Sequence, residues 1–399
     1  MESSGTTAVQ WESLPWEHDP TQPLSRSRRA QISADYDAAV PASIAGLVPA
    51  VDAATLAAAD DARAEISRFD AELSSMLPGT ELAPLAAVLL RTESASSSQI
   101  EHVTAGARAL AMAEIDLARP GSNAELVAAN VDAMTRAVDL AEEITPTSIL
   151  AVHEALMRTE PLAHPGHFRT EQVWIGGTTV SPHGASYVAP HHSRVADAMD
   201  DLRLFVARTD VPLLVQCAVA HAQLETIHPF SDGNGRVGRA LVHAMLQHAG
   251  ATTRATVPVS AGLLGDTEGY FSALTAYRRG EASPIVARFA EATFAAIGNG
   301  RTLAADLVEI HDGWMSAISA RRTAAIWRAL PLLLRQPAIT SAILQRELEL
   351  SQPAADAVIA RLRDAGILTK ASGRQRYVAW VAPQVTSALD AFAARARRA

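Results

Sequence analysis

LLVQCAVAHAQLETIHPFSDGNGRVGRALVHAMLQHAG, residues 213–250, is the stretch whose reading decides the fold. Two runs rich in Ala and Leu flank a polar centre. The first, ending near Ile227, and the second, opening near Val237 and stopped by Gly250, both read as helices. Between them His228, Asp232, Gly233, Asn234, Gly235, Arg236 and Arg239 crowd one helix–loop–helix junction. Gly233, Asn234 and Gly235 can turn their backbone N–H groups toward one point, an anion nest. The helix that follows adds its own unpaired N–H groups and its positive dipole end, which suits a phosphate.

Arg236 and Arg239 lie three apart on one face, so two guanidinium forks can take further phosphate oxygens. Asp232 beside a phosphate would repel it unless a cation sits between them, which points to Mg2+. His228 carries imidazole, whose ordinary titration lies near neutrality. It suits a general base that takes a proton from an attacking hydroxyl, a contribution of roughly a hundred- to ten-thousandfold in rate. Pro229 stiffens the loop, and Phe230 reads as a core plug. Taken singly, each feature is commonplace: Gly-Asn-Gly is usually a turn, and paired arginines are usually a solvated face. Their joint spacing carries the reading.

That spacing resembles the Fic family signature: His, x, Phe, x, acid, Gly, Asn, Gly or Lys, Arg, x, x, Arg. HPFSDGNGRVGR, His228 to Arg239, fills every fixed position. The resemblance implies a mainly α fold, a Fic helical core with a small β-hairpin flap, that transfers AMP from ATP to a protein hydroxyl. It implies His228 as base, Asp232 on Mg2+, Gly233, Asn234 and Gly235 on the phosphates, and Arg236 and Arg239 on the phosphate chain. Doc-type members have Lys at the position of Gly235 and transfer phosphate, so Gly235 favours AMP.

Three further segments match. The hairpin expected over 173–188 falls where the family has its flap, whose backbone pairs with an extended target segment; Ile175 and Gly176 are the candidate tip residues. GYFSALTAYRRGE resembles the aromatic segment beside the nucleotide, with Tyr270 and Phe271 on the adenine side and Arg278 near. SSSQIEHV resembles the inhibitory helix, with Ser97 and Glu101 four apart on one face. In the family this Glu pairs with the second motif arginine, here Arg239, and blocks the γ-phosphate. His102 stands where the pattern has Gly or Asn.

The chain has 399 residues, 48% apolar and 19% charged, a globular composition with room for two or three domains. A net charge of −9 argues against a protein that mainly coats nucleic acid or anionic membrane. The single cysteine, Cys217, lies in an apolar helical run, reads as a buried small hydrophobe, and fits a reducing cytoplasm. MESSGTTAVQWESLPWEHDP, residues 1–20, lacks the basic and apolar regions expected of a signal peptide. No stretch reaches the roughly 18 uninterrupted apolar residues a membrane span needs, so a cytoplasmic protein is expected.

In order, the sequence suggests an irregular N-terminal arm (1–34) whose tryptophans anchor it, and a helical domain with the inhibitory helix (35–140). The catalytic core (141–299) and a linker helix (300–330) follow. Residues 331–399 resemble a winged helix-turn-helix, two short helices and a hairpin. Its basic excess is mild, which favours protein contact over DNA.

The expected partner is a protein with an exposed Ser, Thr or Tyr hydroxyl, with a homodimer and self-modification as further possibilities and no membrane partner. Two alternatives stay open: a winged-helix DNA-binding regulator whose pocket senses nucleotide, and a deAMPylase or other phosphate-group transferase. The histidines of PHHS, His191 and His192, make a weak case for a metal hydrolase, because adjacent side chains diverge and no zinc-binding spacing is present.

Overall fold

A computed structural model describes residues 6–16, 35–76, 83–253, 255–321, 324–371 and 378–398. They are mainly α-helical with short antiparallel sheets, as the sequence suggests. The chain forms two compact units whose segments alternate: residues 1–61, 136–249 and 268–290 in the first, and 62–135, 250–267 and 291–399 in the second.

The first unit holds the helices Pro146–Met157, Val195–Val206, Leu213–Ile227 and Asn234–His248. Its central helix, Leu213–Ile227, is buried on nearly every face, which explains its unbroken apolar composition. Burial pushes the Cys217 thiol up to about 12, in keeping with a small core hydrophobe. The Pro146–Met157 helix is capped by Thr145, whose side chain accepts from Ser148 N while Ser148 Oγ takes the Thr145 N–H. Pro146 fits the first helical position, where a missing N–H costs nothing, which leaves Thr145 rather than Thr147 as the cap.

Residues 10–15 depart from the irregular arm expected there. Gln10–Pro15 is a strand paired antiparallel with Asp35–Val40. In place of the expected anchoring of its tryptophans onto a helical domain, Trp16 meets the strand residues Tyr36 and Trp174 edge-on, at 5.8 and 5.7 Å between ring centroids. Trp174–Ile175 and Tyr187–Val188 form the expected hairpin, with strands of only two residues.

In the second unit the Ala83–Ile100 helix packs against Val259–Leu264. Glu93, fully buried, accepts from Ser260 N at 2.8 Å and from its hydroxyl. The sequence also suggested a helix break near 299, at Gly298-Asn299-Gly300; instead one helix runs Ser283–Ala317. Gly300 lies where a Cβ would meet Phe69 Cζ at 3.0 Å, so this glycine serves close packing rather than a turn. Towards the C-terminus come the strand Ala338–Ile339, the helices Ser341–Leu348 and Gln352–Asp364, and a sheet in which Trp380–Val381 lies between Ala338–Ile339 and Thr369–Lys370.

Candidate active site

His228 sits one residue past the Leu213–Ile227 helix in the left-handed conformation, φ 50° and ψ 59°. For a non-glycine residue this costs about 1–2 kcal/mol, so the surroundings must hold it. A set of donors on the last carbonyls of the helix does so. His228 N donates to Leu224 O at 2.8 Å. Arg278 Nη2 donates to Glu225 O at 3.0 Å, and Tyr187 Oη to Thr226 O at 2.6 Å. Arg169 Nε donates to His228 O at 2.8 Å. Two of these donors are cations at a helix C-terminus, the favourable sign for its dipole. Arg278 also stacks on the Tyr187 ring at 3.8 Å, and burial pushes the Tyr187 phenol up.

Arg169, only 3% exposed, is the functional residue that the sequence reading missed. Besides His228 O its guanidinium donates to Glu171 O at 2.8 Å and Pro190 O at 2.6 Å, and its backbone N donates to Pro229 O at 3.0 Å. Glu171 precedes the first hairpin strand and Pro190 follows the second, so one side chain ties both feet of the hairpin to the His228 loop. Burial lowers its pKa to about 10, which still leaves it charged at neutral pH. FRTEQ, next to the hairpin, was the only local signal. A single arginine gives no hint in sequence that, besides its near neighbour Glu171, it will find carbonyls 21 and 59 residues away.

The loop is held from below by Asn234 and His153. Asn234 Oδ1 accepts from Phe230 N and Asn234 Nδ2 donates to Phe230 O, both at 2.9 Å. The Asn234 side chain is therefore spent on the loop, which leaves its backbone N–H as the group that can meet a phosphate. Phe230 is fully buried and stacks on His153 at 3.8 Å. Gly166 N donates to His153 Nδ1, so the ring proton lies on Nε2 and reaches Asp232 O at 3.2 Å. Burial lowers the His153 pKa to about 4, keeping it neutral.

Gly233 begins the Asn234–His248 helix with φ 83°, and a Cβ there would meet Met157 Cε at 2.6 Å. The first intrahelical bond runs from Val237 N to Gly233 O, so Asn234, Gly235 and Arg236 present N–H groups with no carbonyl one turn back. Arg236 and Arg239 are 6% and 2% exposed, so they are not a solvated face. Arg236 Nε is buried and meets no hydrogen-bond partner among the described residues. Polar groups of this kind, converging at a helix N-terminus, form a seat for an anion.

Asp232 Oδ1 accepts from Gly233 N at 2.5 Å and lies 3.4 Å from Arg236 Nη2, with its side chain 65% exposed. A single exposed carboxylate beside an anion seat fits Mg2+, which takes one or two carboxylates and completes its shell with phosphate and water. No cluster of three or more candidate metal ligands occurs among the described residues, so a cage built from protein alone is not what this site offers. His228 Nδ1 lies 3.8 Å from Glu225 Oε2, and the side chain is 17% exposed.

The remaining candidates fall as follows. Ile175 is 38% exposed, and Gly176 has φ 77°, a conformation glycine permits. Tyr270 is fully buried with its hydroxyl 2.7 Å from His221 Nε2, a core position, whereas Phe271 is 48% exposed. Ser97 is fully buried in the second unit. Glu101 lies just past the Ala83–Ile100 helix rather than within it, and it is exposed. His102 N donates to Gln99 O at 2.9 Å and Val103 N to Ser98 O at 3.0 Å, with His102 at φ 61°. This is a Schellman ending, and His102 holds its left-handed position, where Gly or Asn is ordinarily preferred. The departure at His102 is thus a matter of backbone cost at a helix end.

Residues 143–246, the segment that builds this loop and its supporting helices, match the Fic/DOC family. Over these residues the chain is similar to a Fic domain. Protein adenylyltransferase fic-1 of Caenorhabditis elegans is 31% identical over 110 residues, 27% of this chain and 20% of that protein. Protein adenylyltransferase Fic of Nematostella vectensis is 26% identical over 190 residues, 44% of this chain and 40% of that protein. The first relatives are thus matched over about a fifth of their own length. A Fic family protein of Desulfovibrio desulfuricans G20 superposes with a TM-score of 0.50 at 22% identity, covering 82% of this chain and 95% of that one, a likeness of fold. No described helix is long and apolar enough to cross a membrane.

Proposed function

We propose that this Fic domain transfers AMP from ATP to a hydroxyl of a protein target. The observation that carries the reading is the pairing of a left-handed His228, held by three side-chain donors, with an anion seat at the next helix N-terminus. In this reading the N–H groups of residues 234–236 and the Arg236 and Arg239 guanidinium groups bind the phosphates. Asp232 holds Mg2+, which when bound neutralises phosphate charge. His228 removes the proton from the target hydroxyl as that oxygen attacks the α-phosphorus and diphosphate leaves.

The hairpin at Ile175 and Gly176 presents its backbone to an extended target segment, and Phe271 is the exposed aromatic on the adenine side. Glu101 restrains the reaction by competing with the γ-phosphate for Arg239, and the C-terminal winged-helix-like module contacts protein. The names of the relatives support AMP as the transferred group.

The test is incubation of wild type and of Glu101→Gly, which lifts the proposed restraint and is the protein on which transfer is judged, with Mg2+, cell lysate and ATP labelled at the α or the γ position. Label from the α position on protein, absent with His228→Ala, supports the reading. Label from the γ position alone would mean phosphate transfer. ATP binding without transfer would favour a nucleotide-sensing regulator.

A further inference from the structure

The second unit contains a cavity of about 390 Å³ whose wall includes the turn that carries Glu101. That volume is near the lower end for small-molecule sites, which are usually about 300–1,000 Å³. Arg91 lines it and is 5% exposed. Its Nε donates to both oxygens of Glu114 at 2.9 Å, while its Nη1 is buried and meets no hydrogen-bond partner among the described residues. A buried donor left unmet is unfavourable, and a ligand acceptor would relieve it.

Asp390 also lines the cavity; its Oδ1 accepts from Ala107 N at 2.9 Å, and its second oxygen accepts no bond among the described residues. Arg397 stands exposed at the same wall. The lining thus carries two cations, Arg91 and Arg397, and one carboxylate, Asp390, while Glu114 pairs with Arg91 from outside the lining, so groups of both signs face a ligand that bears both signs. Leu110, Leu389 and Phe392, at 2%, 5% and 1% exposure, supply an apolar floor.

We propose that this cavity binds a free amino acid, or a zwitterion of that size. Its carboxylate meets Arg91, its ammonium meets Asp390, and its side chain rests on Leu110, Leu389 and Phe392. Gln99 and Thr104 also line the cavity and flank Glu101 and His102, so occupancy stiffens the turn that carries Glu101. The binding rests on the cavity alone; its regulatory consequence rests on the proposed restraint by Glu101.

The test places a thiol in the cavity wall of the full chain with Ala393→Cys; native Cys217 is fully buried and does not compete for label. Maleimide alkylation is followed with L-leucine as probe, beside isovalerate, which has only the acid, and isoamylamine, which has only the amine. Leucine is expected to slow labelling about tenfold at ten times its Kd. Isovalerate should protect less and isoamylamine least. Arg397→Gln, a change at an exposed residue, should weaken protection by leucine, and Arg91→Met should abolish it.

Hydrogen exchange over residues 99–106 should slow when leucine is bound. Unchanged labelling with leucine, protection by isoamylamine equal to that by leucine, or full protection in a folded Arg91→Met chain would each overturn the proposal. If Arg91→Met does not fold, the Arg397→Gln comparison decides. None of these readouts needs transferase activity, so the cavity and the proposed chemistry can fail separately.

Discussion

Replacing Arg169 with Met removes a side chain that bonds both feet of the hairpin and the carbonyl of His228. Three carbonyls lose a charged donor. Bonds to charged groups contribute about 1.5–3 kcal/mol each, and the exposed hairpin end can recover water, so a net loss of about 3–5 kcal/mol is expected. In a unit of this size that corresponds to a Tm lower by about 10 °C.

A second effect concerns the site. His228 remains in a left-handed conformation that costs about 1–2 kcal/mol, and its carbonyl bond to Arg169 is one of the contacts opposing that cost. Without it, the fraction of molecules with His228 in place falls about five- to thirtyfold, and kcat with it. ATP affinity should change little, because Arg236 and Arg239 are untouched. Arg169→Lys should recover part of the stability, since one ammonium can reach one or two of the three carbonyls but not all. Thermal melts, ATP titration and single-turnover rates on the three proteins give the comparison. A Met variant with wild-type Tm and rate would refute the claim that Arg169 holds the loop.

His102→Gly should stabilise the second unit by about 1 kcal/mol, because glycine adopts φ near 60° without the Cβ penalty that His102 bears; a lower Tm would count against the Schellman assignment. His153 supplies a pH dependence. Its pKa is about 4 in the fold against 6.5 for the free group, so the unfolded chain binds the extra proton between those values. Stability should therefore be complete above pH 6.5 and decline as pH falls toward 4, by at most about 3 kcal/mol. Melts of wild type and His153→Gln across this range should converge at low pH, and parallel curves would contradict the buried neutral imidazole.

Much of the candidate site is readable in sequence because the His228 loop is local. His228, Asp232, the Gly-Asn-Gly turn and both arginines fall within one junction, and short-range rules for helix ends and anion seats apply to them directly. What escapes is whatever depends on contacts between distant segments. Arg169 and Tyr187 act on carbonyls 39 or more residues away. Asn234 looks like a ligand residue in sequence, yet its side chain staples the Phe230 backbone. Gly300 reads as a breaker until Phe69 is seen against it. Ser97 and Glu101 look like two residues of one helix face, whereas the helix ends at Ile100 and the left-handed His102 closes it. The strand at Gln10–Pro15 is specified by pairing with Asp35–Val40, a partner that periodicity alone does not reveal.

The central claim is tested most directly by the fate of the ATP phosphates in Glu101→Gly, with Glu101→Gly combined with His228→Ala as control. AMP transfer requires one diphosphate released for each AMP that becomes attached to protein. The account predicts that equality in Glu101→Gly, a lower yield in wild type, and neither product when His228 is replaced. Orthophosphate in place of diphosphate, or attachment of AMP that persists without His228, would contradict it.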